Sequence, residues 1–168
     1  MITIRAMTRT DIDDVYGIER ASFRTPWSKA SLIGELKNKV AHYLVLTVDD
    51  EIVGYCGLWV LFDEAHIANI AIRPDFRGRE LGKILLYGTM KVSISHGAEC
   101  MTLEVRESNS VAQNLYDSFD FVREGFRKRY YSDTGEGALL LWNHNIAKTV
   151  QRLTCIDDKF VLEYPSHN

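Results

Sequence analysis

The sequence predicts an α+β fold, a single domain with a mixed, largely antiparallel central sheet flanked by helices. Three observations predict it. The runs HYLVLTV (42–48), IVGYCGLWVLF (52–62) and HIANIAI (66–72) are strand-like and separated only by short turns, so they pair antiparallel. A glycine-bearing loop, RPDFRGRELGK (73–83), then leads through a helical run to the strand-like MTLEV (101–105), a βαβ crossover. Two last runs, FVREGFRKRYY (121–131) and ALLLW (138–142), form a closing hairpin around SDTGEG.

In chain order, ITIRAM (2–7) alternates with period two and reads as the first strand. Thr10 with Asp13 resembles a capping box with Asp in place of Glu. Ile12, Val15, Ile18 and Phe23 follow at near-helical spacing, so a helix runs to about Ser22. Pro26 stops it, and Ser28 caps a second helix carrying Leu32, Ile33 and Leu36. Tight turns are expected at Asp49-Asp50 and Asp63-Glu64. Leu81 to His96 reads as a helix with Gly97 at its C′ position. MTLEV is apolar enough to be a buried strand. Ser108, Asn109 and Ser110 cap a helix through Leu115 to Phe119. Beyond Asn145 the pattern weakens, though Ile146, Val150 and Leu153 are spaced for a short helix. The domain is expected over 1–144, with 145–168 an extension of no assigned role.

The totals fit that architecture. At 168 residues, 46% hydrophobic and 26% charged, the chain is ordinary for one globular domain. Its net charge of −3 argues against a general nucleic-acid surface, and the densest basic patch is local, REGFRKR (123–129). Cys56, Cys100 and Cys155 form no CxxC pair and are odd in number, which suits a reducing compartment. No run reaches the ~18 apolar residues of a membrane span, and no apolar leader precedes the first strand. A cytoplasmic location is expected. His42, His66, His96, His144 and His167 are scattered singly and read as structural or exposed, so no metal is expected.

The loop 73–83 carries the chemistry. A triphosphate-binding loop needs four residues between Gly and Gly-Lys, then Ser or Thr for magnesium. Here three residues separate Gly78 from Gly82-Lys83, and Ile84 follows. The dinucleotide pattern GxGxxG is absent as well. What remains is a basic strand–turn–helix whose amides suit a diphosphate without a metal, with Arg77, Arg79 and Lys83 adding charge. On spacing alone a solvated turn opening a helix explains it nearly as well.

Arg77-Gly-Arg-Glu-Leu-Gly82 resembles the pyrophosphate loop Gln/Arg-x-x-Gly-x-Gly/Ala of the GNAT acetyltransferases. NIAIRPDF before it and LEVRESNSVAQNLYDSFDF after it are similar to that family's adjoining segments. PWS, NIAI, LEVR-SN, LY and RYYSDTGE in this order resemble the RimI type. Those are the bacterial N-terminal alanine acetyltransferases of a small-subunit ribosomal protein, with archaeal relatives that acetylate many protein N-termini. The resemblance spans about Ile2 to Trp142. It implies that the amides of Gly78, Arg79, Glu80, Leu81, Gly82 and Lys83, with Arg77, hold the pyrophosphate of acetyl-CoA. It also implies that Ile70, Ala71 and Ile72 offer strand-edge groups to the pantetheine arm, and that Asn109 bonds the cofactor. A helix cap is an equally good local account of Asn109.

Two positions depart from the family pattern. Glu80 stands where it has glycine. A carboxylate about 7 Å from a phosphate charge in water costs about 0.6 kcal/mol, although a place in the first helical turn would favour it. Asp120 stands where a glycine is usual just past the helix. A left-handed residue is expected there, which Asp tolerates better than most.

Acetyl transfer needs a neutral amine and a proton for the leaving thiolate. An α-amine with a pKa near 7.7–8.0 is roughly a tenth neutral at pH 7, against about 0.04% for a lysine, so a gentle base suffices. The resemblance makes Glu104 that base, a carboxylate in a buried strand. Taken alone, Glu104 reads somewhat better as a strand-end residue paired with Arg106 or facing solvent. The resemblance makes Tyr116 the acid beside the CoA sulfur, although a core tyrosine is its plain alternative. Arg129, Tyr130 and Tyr131 resemble the family's peptide-gripping hairpin, and Trp27 resembles the opposite wall. The implied reaction is direct transfer in a ternary complex to a protein's N-terminal amine. The competing readings are a GNAT enzyme for small amines or antibiotics, and a weakly catalytic CoA-binding partner.

Overall fold

The structure, a computed structural model, describes residues 1–165; His167 lies outside them. Its strands are β1 (Ile2–Ala6), β2 (Ala41–Val48), β3 (Glu51–Leu61), β4 (Glu64–Ile72), β5 (Cys100–Arg106), β6 (Val122–Arg127), β7 (Ala138–Asn143) and β8 (Val161–Glu163). Its helices are α1 (Ile12–Ser22), α2 (Lys29–Glu35), α3 (Leu81–Ser95), α4 (Ser110–Ser118) and α5 (Ile146–Arg152). The strands make one sheet in the order β6-β7-β5-β4-β3-β2-β1-β8. Only β4–β5, across the α3 crossover, and β1–β8 are parallel. The mixed, mostly antiparallel sheet expected from the turns is therefore present. No helix among the described residues is long and apolar enough to cross a membrane.

Local chemistry sets most boundaries. Asp49 and Asp50 both have positive φ, 49° and 70°, the backbone of a two-residue hairpin. Ser28 caps α2 by accepting the Ser31 N–H at 3.0 Å. Gly97, at φ 91°, closes α3 as expected. Four expectations shift. The first capping box is Thr8 with Asp11, not Thr10 with Asp13, and Asp11 also takes two hydrogen bonds from Arg5. The second turn is Phe62-Asp63, because Leu61 pairs with Glu64. The closing hairpin is shorter than the run 121–131, since β6 ends at Arg127 and the next ten residues loop out. The chain beyond α5 continues through a 3-10 turn (Thr154–Lys159) into β8, beside β1.

Helices cover both faces. Ile12, Val15 and Ile18 of α1 pack with Leu32 of α2 on Tyr43 and Tyr55. On the other face α3 is buried almost all round, with Leu85, Leu86, Tyr87 and Met90 at 0% exposure. It lies between the sheet and the C-terminal segment, where Tyr87 meets Phe160 edge-on at 6.1 Å and bonds Asp157 at 2.9 Å. Gly88 lets α3 approach β1 closely: a Cβ there would stand 2.5 Å from Ile4 Cδ1.

A split in the sheet positions the functional residues. β4 and β5 pair only at Glu64↔Cys100, Ala65↔Met101 and His66↔Thr102. Ala68 is an extra residue in the β3–β4 ladder, a bulge that bends β4 away from β5. Beyond it the two strands leave their facing main-chain groups unpaired with each other.

Candidate active site

Two clefts meet at this split. The first, of about 770 Å³, is lined by Ile70, Ala71 and Ile72 of β4 and by Asn109 and Tyr116. Its wall also includes Arg77, Gly78, Glu80 and the start of α3 at Leu81, Gly82 and Lys83. The first helical bond of α3 runs from Ile84 N–H to Glu80 C=O, so the amides ahead of it lack a helical acceptor. Arg77 is braced rather than free, donating to the Ile72 carbonyl at 3.0 Å and to Ser22 at 3.1 Å. Arg79 is outside this lining and stacks on the Phe76 ring at 4.6 Å.

Glu80 is not in the first helical turn. It is the residue before it, with φ 63° and ψ 13°, a left-handed conformation that glycine adopts without strain. Its carboxylate does not stand alone, because Lys83 and Lys159 each approach it at 3.5 Å and hold its pKa below the ordinary value. Lys159 comes from the C-terminal segment. Asp120 is left-handed as expected, at φ 65°. Its carboxylate takes bonds from Thr149 at 2.8 Å and Arg152 at 3.1 Å, tying α4 to α5.

The second cleft, of about 480 Å³, joins the first at Ile70, Asn109 and Tyr116. It brings together Trp27, Glu104, Tyr116, Tyr130 and Tyr131. Arg129 lines neither cleft and has φ 52°. Tyr131 lies on the Arg106 guanidinium at 3.9 Å and meets Tyr130 edge-on at 5.0 Å. Arg106 binds Asp133 at 2.8 Å, so it braces the aromatic loop and is not a partner of Glu104. Tyr116 is 5% exposed, its ring against Phe121, and burial pushes its phenol pKa up. Asn109 accepts the Ala112 N–H at 3.1 Å, so it is a helix cap that also borders both clefts.

Sequence reasoning missed three residues here. His66, expected to be structural or exposed, lies 2.8 Å from a Glu104 oxygen. Burial alone would raise the Glu104 pKa, but the His66 hydrogen bond and charge, with Arg127, hold it below the ordinary value. The signal for His66 was hidden, since it depends on the parallel register that sets it opposite Thr102. Glu19 and Asn69, also in the second cleft, bond to each other at 2.5 Å. Glu19 had a visible signal: it sits four residues after Val15, in the apolar stripe of α1. A third cleft of about 540 Å³, walled by Trp59, Trp142 and Arg127, reaches His66 and Glu104 from the other side.

Similarity to known proteins is extensive. The sequence profile of the acetyltransferase (GNAT) family matches residues 12–121. A Bacillus subtilis (strain 168) protein, provisionally named [ribosomal protein bS18]-alanine N-acetyltransferase, is 46% identical over 140 residues, 83% of this chain and 93% of its own length. The [ribosomal protein bS18]-alanine N-acetyltransferase of Haemophilus ducreyi is 37% identical over 76% of this chain and 88% of its own. The crystal structure of the ribosomal-protein-S18-alanine N-acetyltransferase from Escherichia coli superposes with a TM-score of 0.78. It is 30% identical, over 84% of this chain and 92% of that one.

Proposed function

The chain belongs to the acetyltransferase (GNAT) family, and from that premise we propose that it moves an acetyl group from acetyl-CoA to the N-terminal amine of a protein. The proposed acceptor is the N-terminal alanine of a small-subunit ribosomal protein, as in the names of the relatives, and the transfer is direct within a ternary complex. The setting is the cytoplasm, with a protein and not a nucleic acid as partner.

The first cleft fits acetyl-CoA. The open amides from Gly78 to Lys83 suit a pyrophosphate. The unpaired edge of β4 at Ile70–Ile72 suits the amide-bearing pantetheine arm. When bound, acetyl-CoA supplies the activated thioester. The observation that carries the reading is that Glu104 and Tyr116 reach one cleft, and that Tyr116 also borders the cofactor cleft.

The acceptor arrives largely as an ammonium and must lose a proton to attack. Glu104 receives it, directly or through one water. A carboxylate held below its ordinary pKa is a weak base, and the third cleft, which Glu104 also lines, offers water a path to carry the proton away. Attack on the carbonyl forms the C–N bond, the nitrogen gives up its second proton to water, and collapse breaks the C–S bond. Tyr116 gives its proton to the departing thiolate and regains one from solvent. Its raised pKa keeps it protonated, and the burial that raises it makes a nearby thiolate more basic too. The sum is one amide, one thiol and one released proton.

Small amines are disfavoured as acceptors by the names of the relatives and by the aromatic wall of Trp27, Tyr130 and Tyr131. A weakly catalytic partner role is disfavoured by Glu104 and Tyr116 lining one cleft. The test is mass spectrometry of small-subunit ribosomal proteins after incubation with the enzyme and acetyl-CoA. The expected product is acetylated at an N-terminal alanine. Acetylation confined to lysine side chains, or none, would overturn the reading.

A further inference from the structure

Glu19 is 1% exposed, yet it borders the second cleft. A carboxylate this deeply buried normally has a cation for a partner. Here its three donors are neutral: the Trp27 N–H at 2.8 Å, the Asn69 side-chain amide at 2.5 Å, and the Tyr55 hydroxyl. Burial and the Glu19 charge raise the Tyr55 pKa, which keeps that hydroxyl a donor.

These bonds fix the orientation of Asn69. A carboxylate can only accept, so the Asn69 atom facing it is the amino nitrogen. Tyr55 gives its one proton to Glu19, and its oxygen lies 3.3 Å from the same Asn69 nitrogen, on the Glu19 side of the amide. Turning the amide over would set its oxygen against the Glu19 carboxylate. The carbonyl oxygen Oδ1, at the opposite end of a planar group, has no partner among the described residues, and Asn69 borders the cleft that also holds Glu104 and Tyr116.

We infer that Asn69 Oδ1 accepts an N–H of the acceptor's α-amine, and that Glu19 is the positioning residue that holds Asn69 in that orientation. The inference rests on the N-terminal acetylation reading. An α-amine has an N–H to donate whether charged or neutral. With one proton of the ammonium passed to Glu104 and one remaining N–H anchored at Asn69, the nitrogen lone pair faces the thioester. The same carboxylate ties the Trp27 main chain, so the amine receptor and the wall beside it are held by one group.

The test uses the full chain loaded with CoA and two peptides, one with an N-terminal alanine and one with propanoyl in its place, identical but for the amine. The wild type is expected to bind the amine peptide at least tenfold more tightly. Asn69→Leu, similar in shape but without the acceptor, is expected to erase the preference and leave CoA affinity unchanged. Asn69→Ala, which only removes atoms, serves the same purpose if that variant does not fold. Glu19→Gln is expected to raise KM for the amine peptide about tenfold with a smaller change in kcat; a merely structural role would weaken both peptides and CoA together. An Asn69 variant that keeps the preference overturns the inference. A wild type that binds neither peptide overturns the N-terminal reading, and the inference with it.

Discussion

His66 Nε2 lies 2.8 Å from a Glu104 oxygen, and His66 belongs to the last residue pair that joins β4 to β5. Because a carboxylate only accepts, this nitrogen carries the proton. The pair stands at the mouth of the split, between the second and third clefts.

Replacing His66 tests what the pair does. His66→Gln removes the charge that holds Glu104 low, so burial acts unopposed and the Glu104 pKa rises. The acid limb of kcat/KM, where Glu104 becomes protonated, is expected to move to higher pH in a pH–rate profile. The sign for stability follows from the lowered pKa. In the wild type this contribution is present above the unfolded value of about 4.3 and is lost as pH falls through the lower folded value. In the variant that contribution is gone, and a buried Glu104 favours the folded state only when protonated, so thermal melts are expected to show a smaller loss of stability on acidification than in the wild type.

Glu80→Gly relieves a left-handed backbone and frees Lys83 and Lys159 to meet phosphate. A left-handed non-glycine residue costs roughly 1–2 kcal/mol, while the two exposed ion pairs lost contribute little. The variant is expected to melt at a higher temperature and to bind CoA more tightly in calorimetry. Weaker binding would mean that Glu80 itself orders the loop.

At Asp120 two effects oppose each other. Glycine would remove the cost of φ 65°, but it would also lose the bonds to Thr149 and Arg152. Asp120→Gly is therefore expected to change stability by less than about 1 kcal/mol. Asp120→Ala keeps the strain, loses both bonds, and is expected to cost about 1–2 kcal/mol in denaturant unfolding.

The parts of the fold legible in the sequence were those written in local chemistry. Asp49-Asp50, Ser28 and Gly97 state their turn, cap and helix end in one or two residues. The crossover was legible because a glycine loop between apolar runs has few other uses. What escaped depends on distant partners. β8 is three residues long and is defined by lying beside β1, which its own composition does not announce. Asp11 won the capping position over Asp13 because Arg5, on a neighbouring strand, binds it. At the site, Glu104 and Tyr116 were reached through a motif resemblance. Asn69 became visible only once the donor count around Glu19 could be closed.

In the proposed reaction Glu104 and Tyr116 perform chemistry in a cleft that other residues build for binding. The most direct test measures turnover and CoA affinity side by side in Glu104→Gln and Tyr116→Phe, with an alanine-terminated peptide as acceptor. The expected result is a fall in kcat of about 10²–10⁴-fold in each variant, with the CoA dissociation constant within about twofold of wild type. Turnover that survives both substitutions would contradict the account.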